Sequence, residues 1–161
     1  ASVLILYDPL RSDRRTIVRR VRDCLDAAQA QPVATGRTVA LPVYYASETG
    51  ADLEALAARA QLTTEEVIAL HTATEYRVYA IATPRLASPR ARVPQGSVAI
   101  ADRQTAVYPS QSPGGWDLIG RCPVPMFTPD QQPSMPVAVG DRVRFEAIDR
   151  ERYLALGGVL S

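Results

Sequence analysis

The sequence predicts an α+β protein whose largest part is a mainly antiparallel β-structure, a sandwich or a barrel, with one helical hairpin. The main observation is the segment 88–121, where β-branched or aromatic runs at 96–101, 105–108 and 116–119 alternate with turn residues. Two further observations are the paired helical patterns within 51–71 and the alternating stretch VGDRVRF at 139–145. Short strands with tight connections favour a sandwich or barrel over a helical bundle.

Two connections within 88–121 have the composition of tight turns. Asp102 and Arg103 lie between two strand-like runs and are predicted to join antiparallel strands. In the sequence SPGG at 112–115, Pro113 presets φ at the first central position and Gly114 accepts a positive φ at the second. We therefore predict a type II turn at 112–115.

Composition and charge exclude several classes of function. The chain has 161 residues, 47% of them hydrophobic and 22% charged, and no apolar run that approaches a bilayer span. A net charge of +1 gives no general attraction for nucleic acid or acidic membranes. Neither Cys24 nor Cys122 has a second ligand at metal spacing, so we expect no metal site. The two cysteines are far apart in the sequence, and we expect reduced thiols in a cytoplasmic protein.

The absence of lysine excludes two further mechanisms. All 18 basic residues are arginine, so the chain contains neither a phosphate-binding loop that ends in Gly-Lys-Ser/Thr nor a Schiff-base lysine. A Ser-His-Asp hydrolase would depend wholly on His71, the single histidine, and no Gly-x-Ser-x-Gly motif accompanies it.

The N-terminal part of the chain is predicted to form a separate piece. An apolar strand at 2–7 precedes a helix capped by Ser12 or Asp13, and the linker at 31–37 contains a proline and a glycine. The helix has an apolar face of Ile17, Val18, Val21, Cys24 and Leu25. The domain boundaries that follow are 1–30, 31–37 and 38–161.

A strand at 38–45 and two helices follow the linker. Pro42 favours an edge position or an irregularity in the strand. The first helix, at about 51–60, would bury Leu53, Leu56, Ala57 and Ala60, and the second would bury Val67, Ile68, Leu70 and His71. Thr63 and Glu66 have the spacing of a capping box at the start of the second helix.

The helical pair has an alternative interpretation as a DNA-binding helix-turn-helix. The second helix begins Thr64-Glu65-Glu66, which places two carboxylates where phosphates would approach, and it offers no side chain suited to reading base edges. An ordinary helical hairpin is therefore preferred. His71 is interpreted as a helix-face histidine bonded to a neighbouring carbonyl. The functional alternative is that the His71 side chain faces a cleft.

The last segment is predicted to close the β-structure. In VGDRVRF, Gly140 and Asp141 form a turn, and Val143 and Phe145 share one side of a strand while the arginines point to the other. The tail 151–161 is predicted to hold a short helix that ends at Gly157-Gly158.

Four ordered motifs carry a resemblance to a known family. They are ALHTATEY around His71, PRARVPQGSVAIADRQTAVYP, SPGGWDLIGR and VGDRVRF. Together they closely resemble the family of KipI, the B subunit of 5-oxoprolinase (PxpB) and allophanate hydrolase subunit 1, of the carboxyltransferase-domain type. The resemblance covers nearly the whole chain.

This resemblance implies a partial ferredoxin-like α/β N-terminal domain followed by a cyclophilin-like, mainly antiparallel β-barrel with a helical hairpin. The sequence departs from the family pattern in two places. The family has a further strand-helix portion before Ser2, and a Gly-Phe-x-Pro-Gly-Phe-x-Tyr-Leu segment between Ile81 and Ala82. We expect that the protein has both segments in addition to these 161 residues.

The family's chemistry implies a site that holds a carboxylate and stabilises phosphoryl charge. Arg90 and Arg121 suit anion binding, Gln104 and Ser112 suit hydrogen bonding, exposed amides of Gly114 and Gly115 suit an anion nest, and Tyr108 and Trp116 suit pocket walls. Structural alternatives stay open: arginines paired with Asp102 or Asp117, glycines that shape turns, and a core Trp116. The predicted catalytic set is His71, Arg90, Gln104 and Arg121; the predicted substrate-binding set is Pro94, Ser97, Tyr108, Ser112, Pro113, Gly114, Gly115 and Trp116.

Three functions follow, in order of preference. The first is a subunit of an ATP-dependent hydrolase of a cyclic amide or ureido acid. It would work with a homologous second subunit and possibly a third, catalytic subunit. The complex would use ATP, and the isolated chain would not bind ATP tightly. The second is a KipI-type inhibitor that binds a sensor histidine kinase. The third is a prolyl isomerase-like module, which rests on fold analogy alone.

Overall fold

The computed structural model describes residues 13–30, 36–79 and 89–160, with side chains in the first segment described as far as residue 23. The chain divides into two compact units, residues 1–34 and residues 35–161. The predicted strand at 2–7 and most of the predicted linker lie outside the described residues, and the predicted domain boundaries remain a prediction.

The described part of the first unit is helix α1, Arg14–Ala30. Asp13 caps it: one carboxylate oxygen accepts from the backbone N–H of Thr16 at 3.0 Å and the other accepts from the Thr16 hydroxyl at 2.8 Å. These bonds to the ionised carboxylate lower the pKa of Asp13. On the predicted apolar face Ile17 and Val21 are half-buried and Val18 is exposed, and the side chains of Cys24 and Leu25 lie outside the description.

The second unit contains eight strands and three helices in its described residues. In chain order these are β1 Thr38–Tyr44, α2 Leu53–Ala60, α3 Thr64–Ala73, β2 Glu75–Arg77, β3 Arg90–Val93, β4 Ser97–Ala101, β5 Gln104–Val107, β6 Ser112–Gly114, β7 Asp117–Arg121, β8 Arg142–Ile148 and α4 Arg150–Ala155. The two-residue connection at Asp102 and Arg103 joins β4 to β5 as predicted. The short helix of the tail is confirmed, and Gly157, with φ of 86°, follows its end.

Six of these strands form one sheet in the order β2-β8-β1-β7-β4-β5, and β3 pairs with β6 in a second, two-stranded sheet. Every described pair is antiparallel except β1 with β8, which run parallel from Thr38↔Arg142 to Tyr44↔Ile148. The mixed α+β class and the mainly antiparallel sheet are confirmed. The expected closed barrel is not found in the described residues, because β2 and β5 remain edge strands with a cavity between them.

Strand β1 lies inside the sheet, so of the two alternatives that Pro42 raised the edge position is wrong. Proline is tolerated there because the described pairing of β7 with β1 is at Tyr44↔Arg121, which leaves Pro42 outside the ladder on that side. On β8 the predicted alternation is confirmed, with Val143 and Phe145 buried and Arg142 and Arg144 exposed.

The SPGG segment is a strand and not the predicted type II turn. Ser112 pairs with Val93 and Gly114 pairs with Arg90 in the β3–β6 ladder, and Gly114 does not adopt a positive φ. Pro113 is exposed, and this short two-stranded sheet can accept a residue that lacks an N–H. The local turn propensity of Pro-Gly is therefore overridden by pairing with a strand distant in sequence.

Helices α2 and α3 form the predicted hairpin. Thr63 and Glu66 form the predicted capping box, in which the Thr63 hydroxyl accepts from the Glu66 N–H at 3.2 Å and the Glu66 carboxylate accepts from the Thr63 N–H at 2.8 Å. Leu53, Ala57, Val67 and His71 are buried as predicted. Ala60 and Leu70 are exposed, contrary to prediction, because each lies on the solvent side of its short helix.

Neighbouring residues of β4 contribute to two separate core clusters. Val98 packs in the larger cluster with Leu41, Ile119 and Phe145, whereas Ala99 packs in the smaller one with Val93 and Leu118. The two clusters lie on opposite faces of β4 because successive side chains of a strand point to opposite sides. The larger cluster supports the cavity described below.

We expect Gly120→Ala to lower the free energy of unfolding by about 1–3 kcal/mol, because an added methyl group overpacks the contact between β7 and β1. A Cβ atom at position 120 would lie 2.7 Å from the backbone oxygen of Tyr44 and 2.9 Å from Cγ1 of Val43. Chemical denaturation measures the effect. The exposed Ser47→Ala serves as the control and should change stability by less than about 0.5 kcal/mol; equal effects of the two substitutions would contradict the close packing.

Candidate functional site

A cavity of about 660 Å³ lies between the two edge strands of the large sheet. Its size is that of a site for a small molecule. Strand β2 forms one side, β5 forms the other, and β8 forms much of the floor. The lining residues are Leu41, Thr74, Glu75, Tyr76, Arg77, Val78, Tyr79, Arg103, Gln104, Thr105, Ala106, Val107, Pro109, Trp116, Met126, Met135, Val137, Val143 and Phe145.

The walls of the cavity are mostly apolar, and the lining includes three charged residues, Glu75, Arg77 and Arg103. Glu75 lies 3.5 Å from Arg142 and 3.4 Å from Arg144, so its negative charge is balanced on β8. Arg77, on β2, and Arg103, between β4 and β5, are exposed. In the segments that the structure describes, neither of these two arginines has an ion pair with an acidic side chain. Arg77 is paired with the exposed Arg142 across β2 and β8, so its side chain lies on the face opposite Tyr76 and Val143 and is directed away from the cavity.

His71 lies directly behind the cavity wall, on α3, and is almost completely buried. Its ring stacks on Phe145 with ring centres 4.5 Å apart, and lies 5.2 Å from the ring of Tyr76. Nδ1 is 2.7 Å from the Tyr45 hydroxyl and Nε2 is 3.0 Å from Oγ1 of Thr105. The prediction of a satisfied helix-face histidine is correct, but its partners are two hydroxyl groups and not a carbonyl.

The hydrogen bonds around His71 define one direction of donation. The Thr105 hydroxyl donates to the carbonyl oxygen of Ala99 at 3.1 Å, so it accepts from Nε2–H of His71. Nδ1 then accepts from the hydroxyl of Tyr45. In the opposite tautomer the Tyr45 hydroxyl could not donate to Nδ1, and the Thr105 hydroxyl would donate to Nε2 and no longer to the carbonyl oxygen of Ala99. Leaving buried polar groups without a partner costs free energy. The series Tyr45, His71, Thr105, Ala99 is thus a single chain of oriented hydrogen bonds.

Burial fixes the protonation states in this chain of hydrogen bonds. It lowers the pKa of His71 from 6.5 to about 4, so the ring is neutral near pH 7. Burial also raises the pKa of Tyr45 well above its ordinary value, which keeps its hydroxyl a donor. Because the lone pair of Nδ1 is already occupied by Tyr45, His71 is not placed to remove a proton from a ligand in the cavity.

The structure brings two of the predicted site residues to the cavity wall, Gln104 and Trp116. His71 supports this wall from behind through Thr105 and Phe145. The other predicted residues lie outside the lining. They are Arg90, Pro94, Ser97, Tyr108, Ser112, Pro113, Gly114, Gly115 and Arg121.

Arg90 has a structural partner that the sequence did not indicate. Its guanidinium pairs with the carboxylate of Asp52, and Nη1 donates to the carbonyl oxygen of Trp116 at 3.4 Å. The other carboxylate oxygen of Asp52 accepts from the N–H of Leu118 at 2.7 Å. Arg90 therefore ties β3 to the start of α2 and to β7, while Asp117, one of the alternatives weighed for it, pairs with Arg59 at 2.7 Å.

Arg121 is buried, and its Nη1 donates to the carbonyl oxygen of Val159 at 2.9 Å. Tyr153 donates to the same carbonyl oxygen at 3.0 Å, so this contact holds the C-terminal residues against β7. Ser97 is paired with Arg121 across β4 and β7 and is fully buried. The proposed anion-binding roles of Arg90 and Arg121 remain predictions, and the contacts described for both arginines are with the protein itself.

The expectation of exposed amides at Gly114 and Gly115 is wrong. Both residues are buried, because β6 pairs with β3 and the ring of Tyr108 packs against Gly114. A Cβ atom at Gly114 would lie 2.1 Å from the Tyr108 hydroxyl oxygen, so a larger residue here would displace the Tyr108 ring. Pro94 and Ser112 are half-buried at one end of the β3–β6 ladder, where Val93 pairs with Ser112.

Sequence reasoning missed the residues that matter most for the cavity: Tyr45, Arg77, Arg103 and Thr105. The sequence contains only a weak signal for them. Thr105 begins a predicted strand, and Arg77 and Arg103 follow or precede strand-like runs, but 18 arginines offer no way to select these two. Their common location appears only when β2 and β5 are brought to opposite sides of one cavity.

The described residues contain no cluster of histidine, cysteine and acidic side chains that could hold a metal ion. Cys122 is a buried free thiol whose pKa burial raises to about 11, which makes it an unreactive core residue. Among the helices of the described segments, none has the length and apolar character needed to span a membrane.

The fold and the cavity define an α+β protein with a cavity of small-molecule size between two open sheet edges. Comparison with known proteins places it more narrowly. Residues 1–83 and 80–137 match the family described as the carboxyltransferase domain, subdomain C and D, and the chain belongs to this family. The two matched stretches meet where the sequence analysis expects an additional family segment. The resemblance found in the sequence is thereby confirmed.

Individual relatives and a solved structure support the same assignment. The chain is 39% identical to the B subunit of 5-oxoprolinase from Bacillus subtilis over 93% of its own length and 68% of the relative. It is 39% identical to the B subunit of 5-oxoprolinase from Haemophilus influenzae over 68% of its own length and 59% of the relative. The crystal structure of a conserved uncharacterized protein from Pyrococcus horikoshii is 36% identical with a TM-score of 0.69, covering 92% of this chain and 75% of the other.

We expect the stability of the protein to fall by about 2 kcal/mol between about pH 7 and about pH 5 because of His71. In the unfolded chain His71 binds a proton near its ordinary pKa of 6.5, whereas in the folded chain it does so only near its lowered pKa of about 4. The stability that the neutral ring contributes is therefore complete above pH 6.5 and is lost as the pH falls towards 4. Urea denaturation at several pH values measures it. In His71→Gln, which has no histidine, the decrease over this interval should largely disappear; an unchanged decrease would contradict the burial of a neutral imidazole.

A second expectation concerns the tautomer of His71. Nitrogen-15 NMR of the single histidine should show a proton on Nε2 and none on Nδ1 at neutral pH, since Tyr45 donates to Nδ1. Tyr45→Phe removes that donor and should lower stability by about 1–3 kcal/mol. Tyr79→Phe alters an exposed tyrosine of the same cavity and should change stability by less than about 0.5 kcal/mol. A proton found on Nδ1 in the unaltered protein would overturn the direction of the hydrogen-bond chain.

Proposed function

We propose that this chain is a subunit of an ATP-dependent hydrolase of the 5-oxoprolinase type, which opens a small cyclic amide or ureido acid together with a homologous second subunit. The observation that carries this proposal is the 39% identity, over 93% of the chain, with a protein named as the B subunit of 5-oxoprolinase. The cavity adds support, because a mostly apolar space of about 660 Å³ has the size of a site for a small ligand.

The described residues do not fit the polyphosphate of ATP. Arg90 is paired with Asp52, Arg121 donates to a backbone carbonyl, and Gly114 and Gly115 are buried beside a strand pair. The chain has no lysine and no glycine-rich phosphate loop before a helix. The proposal therefore assigns ATP binding to a partner subunit, where ATP would supply the phosphoryl group that activates an amide oxygen.

The part of this chain in such a complex is to bind and orient the acid. Arg103 offers a positive charge at the lining for the carboxylate, while Tyr76, Val107 and Phe145 exclude water from the rest of the ligand. Gln104 offers both a donor and an acceptor at the same wall. Both ring nitrogens of His71 are occupied by hydrogen bonds within this chain, so His71 has a structural role. A third subunit that supplies the catalytic groups is compatible with a binding role for this chain. Use of ATP and a free buried thiol at Cys122 both favour a cytoplasmic location.

Reconstitution tests the proposal. The intact protein should release no phosphate from ATP alone or with 5-oxoproline, but together with its homologous second subunit and the catalytic subunit it should hydrolyse ATP in a 5-oxoproline-dependent manner and form glutamate. Phosphate release and glutamate are measured in the same reaction. Turnover of allophanate without turnover of 5-oxoproline would show that the substrate is allophanate and not 5-oxoproline. Tight ATP binding by the isolated chain, measured by calorimetry, would contradict the assignment of ATP binding to a partner subunit.

A further inference from the structure

We propose that an extended segment of a partner protein inserts between β2 and β5 as a further strand, antiparallel to both, and closes the open side of the cavity. The segment carries apolar side chains at alternate positions and an acidic side chain opposite Arg77. This binding goes beyond the proposed function, because it requires neither ATP nor turnover. It follows from the direction of the two edge strands and from the hydrogen-bonding groups that they leave open.

The two edge strands run in the same direction. Strand β8 is parallel to β1, and β2 is antiparallel to β8. On the other side of β1 the direction alternates through β7, β4 and β5, beginning with β7 antiparallel to β1. Both β2 and β5 are therefore antiparallel to β1, so that one strand placed between them is antiparallel to both. Edges of opposite direction would have required one parallel pair.

Strand β5 directs the backbone groups of two residues at the gap. Tyr108, directly after β5, bonds towards β4: its N–H donates to the carbonyl oxygen of Ser97 at 2.9 Å, and its own carbonyl oxygen accepts from the N–H of Gly96 at 2.8 Å. Along an antiparallel ladder, successive residues of a strand direct their backbone groups alternately to one side and to the other. The N–H and carbonyl groups of Thr105 and Val107 therefore point away from β4, into the gap.

Strand β2 presents the same groups from the opposite side. The N–H of Val78 donates to the carbonyl oxygen of Asp141 at 2.8 Å, and its carbonyl oxygen accepts from the N–H of Gly140 at 3.1 Å, so Val78 bonds towards β8. By the same alternation the backbone groups of Glu75 and Arg77 point into the gap. Both residues thus belong to the lining although their side chains lie on the outer face of the sheet.

These open groups define the side-chain pattern of the segment. Within the described parts of the chain, the gap-facing backbone groups have no hydrogen-bond partner, and such edges pair readily with an added strand. Residues that pair across a ladder carry their side chains on the same face. Segment residues bonded to Thr105 and Val107 therefore face the mostly apolar cavity, and those bonded to Glu75 and Arg77 face outwards.

Charge on the outer face favours an acidic residue in the segment. Arg77 stands directly opposite Arg142, and like charges in this position repel each other. Glu75 lies 3.5 Å from Arg142 and 3.4 Å from Arg144, so its charge is already balanced. Arg77 has no ion pair with an acidic side chain among the residues that the structure describes. An acidic residue bonded across from Arg77 supplies the opposite charge.

The first test uses the hexapeptide acetyl-Val-Glu-Val-Thr-Val-Thr-amide. Its valines alternate, and its acidic residue lies near the amino end, where a strand antiparallel to β2 meets Arg77. We expect calorimetry to show saturable binding to the intact, purified protein, and at least tenfold weaker binding of the peptide with lysine in place of glutamate. No binding of the hexapeptide at millimolar concentration would overturn the inference.

N-methylation of the hexapeptide distinguishes insertion between both edges from pairing at one edge. Adjacent residues of the inserted strand donate to opposite neighbours, the second residue to β2 and the third to β5. Methylation of either backbone nitrogen should therefore weaken binding at least tenfold. If only one of the two methylated peptides binds more weakly, the segment pairs at a single edge and the insertion is wrong.

Amide hydrogen exchange, followed by NMR, locates the inserted strand. In the protein alone the amides of Arg77, Thr105 and Val107 should exchange rapidly, and saturation with the hexapeptide should slow each at least tenfold. The amides of Val78 and Tyr108, which are already bonded within the sheet, should change little. Slow exchange at Thr105 and Val107 without peptide would show that another part of this chain already pairs with β5, which would overturn the inference.

Variants test the two kinds of contact separately. Arg77→Gln should remove the preference for the glutamate peptide over the lysine peptide, whereas Arg92→Gln, at an exposed arginine of β3 outside the lining, should retain it. Val107→Pro removes a gap-facing N–H and should weaken binding at least tenfold, with circular dichroism as the check on folding. A preference that survives in Arg77→Gln would contradict the charge assignment. A dimer of the protein alone that the hexapeptide dissociates, seen by analytical ultracentrifugation, would show that a second copy occupies the gap and would overturn the choice of a partner protein.

Discussion

The buried imidazole of His71 is the interaction on which the cavity depends. It joins α3 to Tyr45, which follows β1, to Thr105 on β5 and to Phe145 on β8. Strand β5 is a sheet edge that pairs only with β4 in the described residues, so the bond from His71 to Thr105 fixes this strand on its open side. A neutral histidine with both ring nitrogens occupied provides this link without burying a charge.

The open gap between β2 and β5 gives the sheet a cavity with Arg103 in its lining. A sheet that closed at this point would place backbone hydrogen bonds where Arg77, Arg103 and Thr105 now line a space of about 660 Å³. The stable parts of the unit lie elsewhere: the parallel pair β1 and β8 covers seven residue pairs, and the core of Val43, Val98, Ile119 and Phe145 lies at the centre of the sheet. The cavity wall is therefore supported from behind by the centre of the sheet.

Two arginine contacts that looked functional in the sequence hold the fold together. Asp52 accepts from both Arg90 and the N–H of Leu118, which ties α2, β3 and β7 at one point. Arg121 and Tyr153 donate to the carbonyl of Val159 and hold the C-terminal residues in place. Arginine in a conspicuous motif can thus serve the stability of a family's fold, and motif resemblance does not distinguish this role from ligand binding.

The sequence by itself determined the class of the protein, the family, and those elements whose signals are local. The capping box at Thr63 and Glu66, the Asp102-Arg103 connection and the alternation of Val143 and Phe145 depend on residues within a few positions of one another, and local geometry decides them. The conformation of SPGG and the place of Pro42 depend on strand pairing and strand order, which local propensity does not encode. The hydrogen-bond partners of Arg90 and His71 likewise lie 26–38 residues away along the chain. Only the tertiary structure brought Arg77, Arg103 and Thr105 to one cavity, because the free edges of β2 and β5 become neighbours in space only after the sheet has curved around the core.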